Sequence, residues 1–261
     1  MRIIDIHTHI YPENIAAKAA DSIRDFYEIR GDEMDGTAEQ LLTRGRAAGI
    51  DQFAILPVGI RPDRVAGIND FVLEQCANHP EFIPCGTIHA AMENVEEETW
   101  RILDRGMRAV KMHPDTQVFP IDDVRLYPFY DAVEDRLPVI FHMGDHRFNY
   151  SHPVKLRKLL TQFPRLQVVA CHFGGYRMYR EAMELLTDSG CFFDISSAMM
   201  FMEPDEAETY IRACGAERMA YGTDYPLWDP VKEVERFLQL KLTEEQTEQI
   251  AWKTAANLLK V

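Results

Sequence analysis

No Cys-x-x-Cys pair occurs in this chain, and its five cysteines (Cys76, Cys85, Cys171, Cys191 and Cys214) are odd in number and scattered. That excludes the pattern of a disulfide scaffold or a thiolate zinc site and points to reduced, buried thiols in a cytoplasmic protein. Basic residues are short: 28 Lys and Arg stand against 42 Asp and Glu, a formal charge of −14. A field of that sign repels nucleic acid and anionic membrane surfaces, so neither is expected as a partner. No apolar run approaches the roughly 20 residues that cross a bilayer. Met1-Arg2 leads straight into Ile3-Ile4-Asp5, without the apolar stretch of a signal peptide. Linkers, low-complexity tracts and internal repeats are also missing, so one domain is expected over residues 1–261. Hydrophobic residues make up 46% of the chain, enough to bury a large core and exclude disorder as the main state.

What is present is alternation. Strand-like apolar runs cover 2–7, 52–58, 82–88, 107–111, 138–142, 167–172, 191–195 and 218–223. Amphipathic, helix-like stretches lie near 38–48, 64–79, 94–105, 123–136, 153–163, 176–189, 205–214 and 230–240. A last helix is expected over 243–259, opened by the capping-box pattern Thr243-Glu-Glu-Gln246. Eight strand–helix pairs in about 260 residues is the count of a single (β/α)8 TIM barrel in the α/β class, here with an additional C-terminal helix. A doubly wound sheet often carries a glycine fingerprint in its first turn; here that turn reads His-Thr-His. The stretch 11–36 is the least regular and is expected to form a lid or short helix over the barrel mouth.

Polar side chains gather where barrel enzymes keep their chemistry, at the C-terminal ends of the strands. His7 and His9 are two apart and project together from the first strand. The fifth strand ends on His142, the sixth on His172 and the eighth on Asp224. Buried polar groups need partners. A divalent cation supplies one, taking neutral imidazoles and a carboxylate while leaving a position for water. The fourth strand adds Lys111 and His113. Lys111 is either a snorkelling surface lysine or an ion-pair partner of Asp115 or Asp122, a cation for a substrate carboxylate, or a carboxylated lysine bridging two metals.

These motifs are similar to those of the amidohydrolase superfamily, in its amidohydrolase-2 branch of metal-dependent barrel hydrolases and related decarboxylases. Asp5-Ile6-His7-Thr8-His9 resembles the first-strand DxHxH and Lys111-Met112-His113-Pro114 the fourth-strand KxHP. Pro138-Val139-Ile140-Phe141-His142-Met143-Gly144 resembles the fifth-strand histidine segment, Cys171-His172-Phe173-Gly174-Gly175 the HxGG segment, Gly222-Thr223-Asp224-Tyr225-Pro226 the GxDxP segment, and Ala255-Ala256-Asn257-Leu258-Leu259 the closing NAxxL helix. The resemblance implies His7, His9, His142 and Asp224 as metal ligands, with Asp224 and His172 as the catalytic pair. In a binuclear site, carboxylated Lys111, His142 and His172 would serve a second metal. Zinc is the first expectation, with manganese or iron fitting the same donors, at one or two ions per chain.

The expected activity is a metal-dependent hydrolase that activates water to cleave an amide, ester or lactone in a small, carboxylate-bearing substrate. Non-oxidative decarboxylation of an unsaturated or aromatic acid is the alternative; a metal-free lactonase and a non-catalytic barrel rank lower. Lys111, His113, Arg147, Arg177 and Tyr225 are expected to contact substrate, the arginines as bidentate clamps. Exposed aromatics and methionines leave room for a homodimer.

Overall fold

Every one of the eight apolar runs yields strand, in shorter form than its sequence span. The computed structural model describes residues 1–261 and forms β1 (Ile4–Thr8), β2 (Gln52–Ile55), β3 (Phe82–Pro84), β4 (Gly86–Thr87), β5 (Val110–Met112), β6 (Val139–Phe141), β7 (Val168–Ala170), β8 (Phe192–Asp194) and β9 (Met219–Ala220). All ladders are parallel and run in chain order, β1-β2-β3 and β4 through β9. The third run is thus split in two. Pro84 has no N–H to give a ladder, and the chain switches neighbours there: β3 pairs with β2, whereas Gly86 N–H donates to Ala109 O. A Cβ at Gly86 would lie 2.8 Å from the Met107 sulfur and 2.9 Å from Ile102, so any larger residue would have to displace those side chains. The ring closes where Ile6 N–H donates to Tyr221 O at 2.9 Å and His9 N–H to Tyr225 O at 2.8 Å. Nine segments therefore occupy the eight positions of a TIM barrel.

The helices are α1 (Glu13–Tyr27), α2 (Ala38–Ala47), α3 (Val65–Asn78), α4 (Val95–Asp104), α5 (Pro114–Gln117), α6 (Tyr127–Val133), α7 (Pro153–Gln162), α8 (Tyr179–Leu186), α9 (Pro204–Cys214), α10 (Pro230–Leu238), α11 (Glu244–Glu248) and α12 (Thr254–Leu259). The helix expected over 123–136 shortens to α6, since Pro128 lies at the first turn and favours a start beside it. Thr243 and Gln246 make the expected capping box, and a π turn over Gln249–Lys253 joins α11 to α12. None of the helices is long and apolar enough to cross a membrane.

Strand alternation divides the core in two. Val139 and Phe141 face outward into the layer under the helices, while Ile140 joins Ile4, Ile6, Ala54, Ile83 and Val169 in the lumen. Ala255, Leu258 and Leu259 of α12 complete the lumen cluster and stopper one end of the barrel. Polar side chains are left for the other end.

The stretch 11–36 carries a full helix. α1 runs 15 residues, and its far end is tied down at several points: Arg147 donates to Phe26 O at 2.6 Å, Asp32 N–H to Leu227 O at 2.7 Å, and Asp229 N–H to the Asp32 carboxylate at 2.9 Å. This segment lies over the mouth and brings Tyr27 into it.

Candidate metal centre

A register shift in the β1–β2 ladder between Asp5 and Thr8 re-aims the end of the first strand. Asp5 holds that shift, accepting from the N–H groups of His7 and Thr223, both at 3.0 Å, and from the Thr223 hydroxyl at 2.6 Å. The result is that the Nε2 atoms of His7 and His9 stand 3.2 Å apart, each 3.4 Å from Asp224 Oδ1.

Hydrogen-bond accounting decides what these atoms carry. His7 Nδ1 faces Asp194 Oδ2 at 2.8 Å and His9 Nδ1 faces Leu56 O at 2.6 Å, so both Nδ1 atoms hold the proton and both Nε2 atoms present lone pairs. Burial, then the charge of Lys111, lowers the His7 pKa to about 4, so the ring is neutral near pH 7. Asp224 is held in its ionised form, its carboxyl kept well below the usual range against the opposing effect of burial. Two lone pairs and an anionic oxygen thus converge with no proton between them. Two nitrogens bound tetrahedrally to one zinc at about 2.0–2.1 Å would themselves be about 3.3–3.4 Å apart. The donor set fits a divalent metal in both chemistry and spacing.

A second such contact lies beside the first. His172 Nδ1 donates to Ser196 O at 3.0 Å, and His142 Nε2 to Gly144 O at 3.0 Å. Their remaining nitrogens, His172 Nε2 and His142 Nδ1, face each other at 3.1 Å. Burial is the main cause that lowers both pKa values, that of His142 far below the ordinary range. The structure thus brings His7, His9 and Asp224 together as one compact group and pairs His142 with His172 instead of placing it in that group. Asp194 underlies both. Besides His7 it accepts from His172 N–H at 2.9 Å and from the Ser196 hydroxyl at 2.6 Å.

Lys111 is fully buried and has no carboxylate partner; Asp122 pairs with Lys155, and Asp115 accepts from Ser151. Its Nζ lies 3.0 Å from His7 Nε2 and 3.3 Å from Cys171 Sγ. The surface and ion-pair readings of Lys111 are therefore overturned. Four residues here, His172, Phe173, Ser197 and Asp224, have φ between +47° and +62°, strained for side chains with a Cβ. Such strain collects at functional sites. Gly144 allows a close backbone approach, because a Cβ there would sit 2.7 Å from Gly175 Cα.

The expected substrate contacts divide. His113 is in the site, stacked on His142 with ring centres 3.9 Å apart. Arg177 is exposed at the rim, 5.2 Å over the Phe201 ring, with no carboxylate partner. Arg147 is already engaged, its guanidinium paired with buried Asp145 and donating to Phe26 O, which makes it the latch of α1 rather than a free clamp. The Tyr225 hydroxyl turns to Thr37 O at 3.0 Å and Gln40 at 3.2 Å, anchoring the start of α2 and not reaching the imidazoles. Sequence reasoning missed Asp194, Tyr27 and Asp115. Asp194 ends an apolar strand just as His142 does, so the same rule would have found it. Tyr27 sits outside the barrel strands and gave no such signal.

The amidohydrolase family's sequence model matches residues 4–261. Among solved structures, an uncharacterised TIM-barrel protein from Bordetella bronchiseptica is similar over 100% of this chain and 99% of its own, at 26% identity and a TM-score of 0.83. The 5-carboxyvanillate decarboxylase of Sphingomonas paucimobilis matches 100% of this chain and 99% of its own at 15% identity and a TM-score of 0.74. A dihydroxybenzoic acid decarboxylase from Polaromonas sp. JS666, solved with manganese and 2-nitroresorcinol, matches 99% of this chain and 96% of its own at 17% identity and a TM-score of 0.75. At such identities the two decarboxylases share the fold. No curated protein matches in sequence.

Proposed function

The chain belongs to the amidohydrolase family, and from that premise we propose that it is a metal-dependent hydrolase acting on an amide, ester or lactone bond of a small carboxylate-bearing substrate. The observation that carries this reading is the pair of facing lone-pair contacts, His7–His9–Asp224 and His142–His172, beside one buried lysine without an anionic partner. His7, His9 and Asp224 would hold a first divalent metal, zinc or manganese; His142 and His172, with carboxylated Lys111, would hold a second.

A metal bound there supplies Lewis acidity and lowers the pKa of water from 15.7 towards about 7. The chain's own groups do the rest. Asp224 is kept ionised and is placed to take a proton from the attacking water. His172 has its Nδ1 proton committed to Ser196, so its Nε2 would serve the second metal when that ion is bound, and in a singly loaded site can accept a proton and return it to the leaving group. Asp194 fixes the ring of His7 and the backbone of His172 at once. Tyr27 and the α1 segment cover the site and limit water.

Decarboxylation of an aromatic acid has support of its own. Tyr27, Tyr176 and Trp228 form a buried cluster with Phe201 at the mouth, a lining suited to a flat ring. Two of the fold relatives are decarboxylases of aromatic acids.

The test is metal content per chain, measured by elemental analysis on protein purified without chelator. Two equivalents are expected, falling to one in Lys111→Met and to none or one in His7→Ala/His9→Ala. A protein still metal-free after incubation with zinc and manganese would end this reading. Screening esters, lactones and amides beside carbon dioxide release from aromatic acids then separates the two reactions.

A further inference from the structure

Proton accounting around Tyr27 leaves one donor unspent. Thr116 N–H points at His113 Nδ1, at 3.4 Å, so the His113 proton is on Nε2. That nitrogen lies 2.6 Å from the Tyr27 oxygen and donates to it. The phenol's own proton then has only the His142 ring nitrogens to address, both at 3.3 Å, beyond the ordinary O–H hydrogen-bond range, and Nε2 among them is itself a donor to Gly144 O. Tyr176, whose ring centre is 5.0 Å from that of Tyr27 and 6.0 Å from His172, is 5% exposed, and its hydroxyl has no hydrogen-bond partner. Burial raises both phenols above their usual pKa, at Tyr176 against the opposing charge of nearby Arg177, so both keep their protons. A buried hydroxyl with no partner, next to one whose proton meets only a long contact to His142 Nδ1, is costly unless a ligand completes the pair.

We propose that Tyr27 and Tyr176 form a two-donor recognition site for a ligand carboxylate, each phenol donating to one of its oxygens beside His142 and His172. The assignment deepens the hydrolase reading and rests on it for the placement of the ligand next to the metal. It also explains why the anion is not met by Arg147, which is spent on Asp145.

Benzoate is the probe, titrated calorimetrically into manganese-loaded wild-type, Tyr27→Phe, Tyr176→Phe and double-variant protein. Each phenylalanine keeps the ring and its packing, so metal content and Tm should stay at wild-type values. Benzoate affinity is expected to fall about tenfold in each single variant and further in the double variant. An unchanged Kd in the double variant overturns the proposal, and so does a loaded wild type that does not bind benzoate. If the chain takes up no metal yet binds benzoate in a phenol-dependent way, the recognition site stands and the hydrolase reading falls.

Discussion

His7 Nδ1 meets Asp194 Oδ2 at 2.8 Å, joining the first strand of the barrel to β8, 187 residues later. The carboxylate does three things through that contact. It fixes the tautomer that leaves Nε2 free, it orients the ring, and it raises the basicity of the free nitrogen. Partners of this kind are commonly worth one to two orders of magnitude in metal affinity.

Asp194→Asn is accordingly expected to lower metal affinity about 10–100-fold while leaving the barrel folded. Competition against a chelator of known affinity reads the first, far-UV circular dichroism the second. Unchanged affinity would mean that the ring is held well enough by packing and Ser196.

Asp224→Asn removes both a metal ligand and the group placed to accept the water proton. Turnover of whichever substrate the screen identifies should drop by about 10²-fold or more. Activity near wild type would remove Asp224 from the catalytic assignment.

Asp115 gives a pH signature of stability. It is buried with Oδ1 unpartnered, and burial pushes its carboxyl up to about 6 from an ordinary 3.8. Between those values the folded chain keeps a proton that the unfolded chain has released. The stability this contributes is complete below about 3.8 and is lost as pH rises through about 6. Asp115→Asn abolishes the dependence, so its stability relative to wild type should rise between pH 5 and pH 8 by about 1 kcal/mol. Urea unfolding at the two pH values measures the difference; a gap that does not change with pH would contradict the shift.

Arg147→Ala should loosen α1 while leaving the ring of strands as it was. The guanidinium links buried Asp145 to Phe26 O and lies 5.0 Å over the Phe26 ring, so its loss frees the end of the helix that carries Tyr27. Amide hydrogen exchange over 13–36 should accelerate, with β5–β7 unaffected. Equal protection in both proteins would show that the Asp32 and Leu227 contacts suffice alone.

The sequence disclosed the barrel because hydrophobic period and strand-end chemistry are local properties. His7, His9, His172 and Asp224 could be placed by counting along their strands, and the structure does bring their atoms into one mouth. The pairing of His142 with His172 is expected only from the resemblance, in its binuclear form, and not from counting, since it depends on how far adjacent strands are staggered. Arg147 and Tyr225 looked free because their partners, Asp145 with Phe26 O and the Thr37–Gln40 turn, are contacts made only by the folded chain. Tyr27 was illegible for the opposite reason: a tyrosine at the end of an amphipathic helix is an ordinary packing residue until the helix is known to lie across a barrel.

The closure at Ile6 and Tyr221 also sets a kinetic problem. While the chain is still being made, β1 has only β2 beside it, and its other edge waits for residues more than 200 positions away. The stopper of the lumen, α12, comes later still. Long-range parallel pairing of this kind is slow, and open edges invite wrong partners. A ribosome-bound chain stalled before Tyr221 should therefore behave as an open, association-prone sheet. The imidazoles of the first strand would take their final positions only once the last strand had arrived.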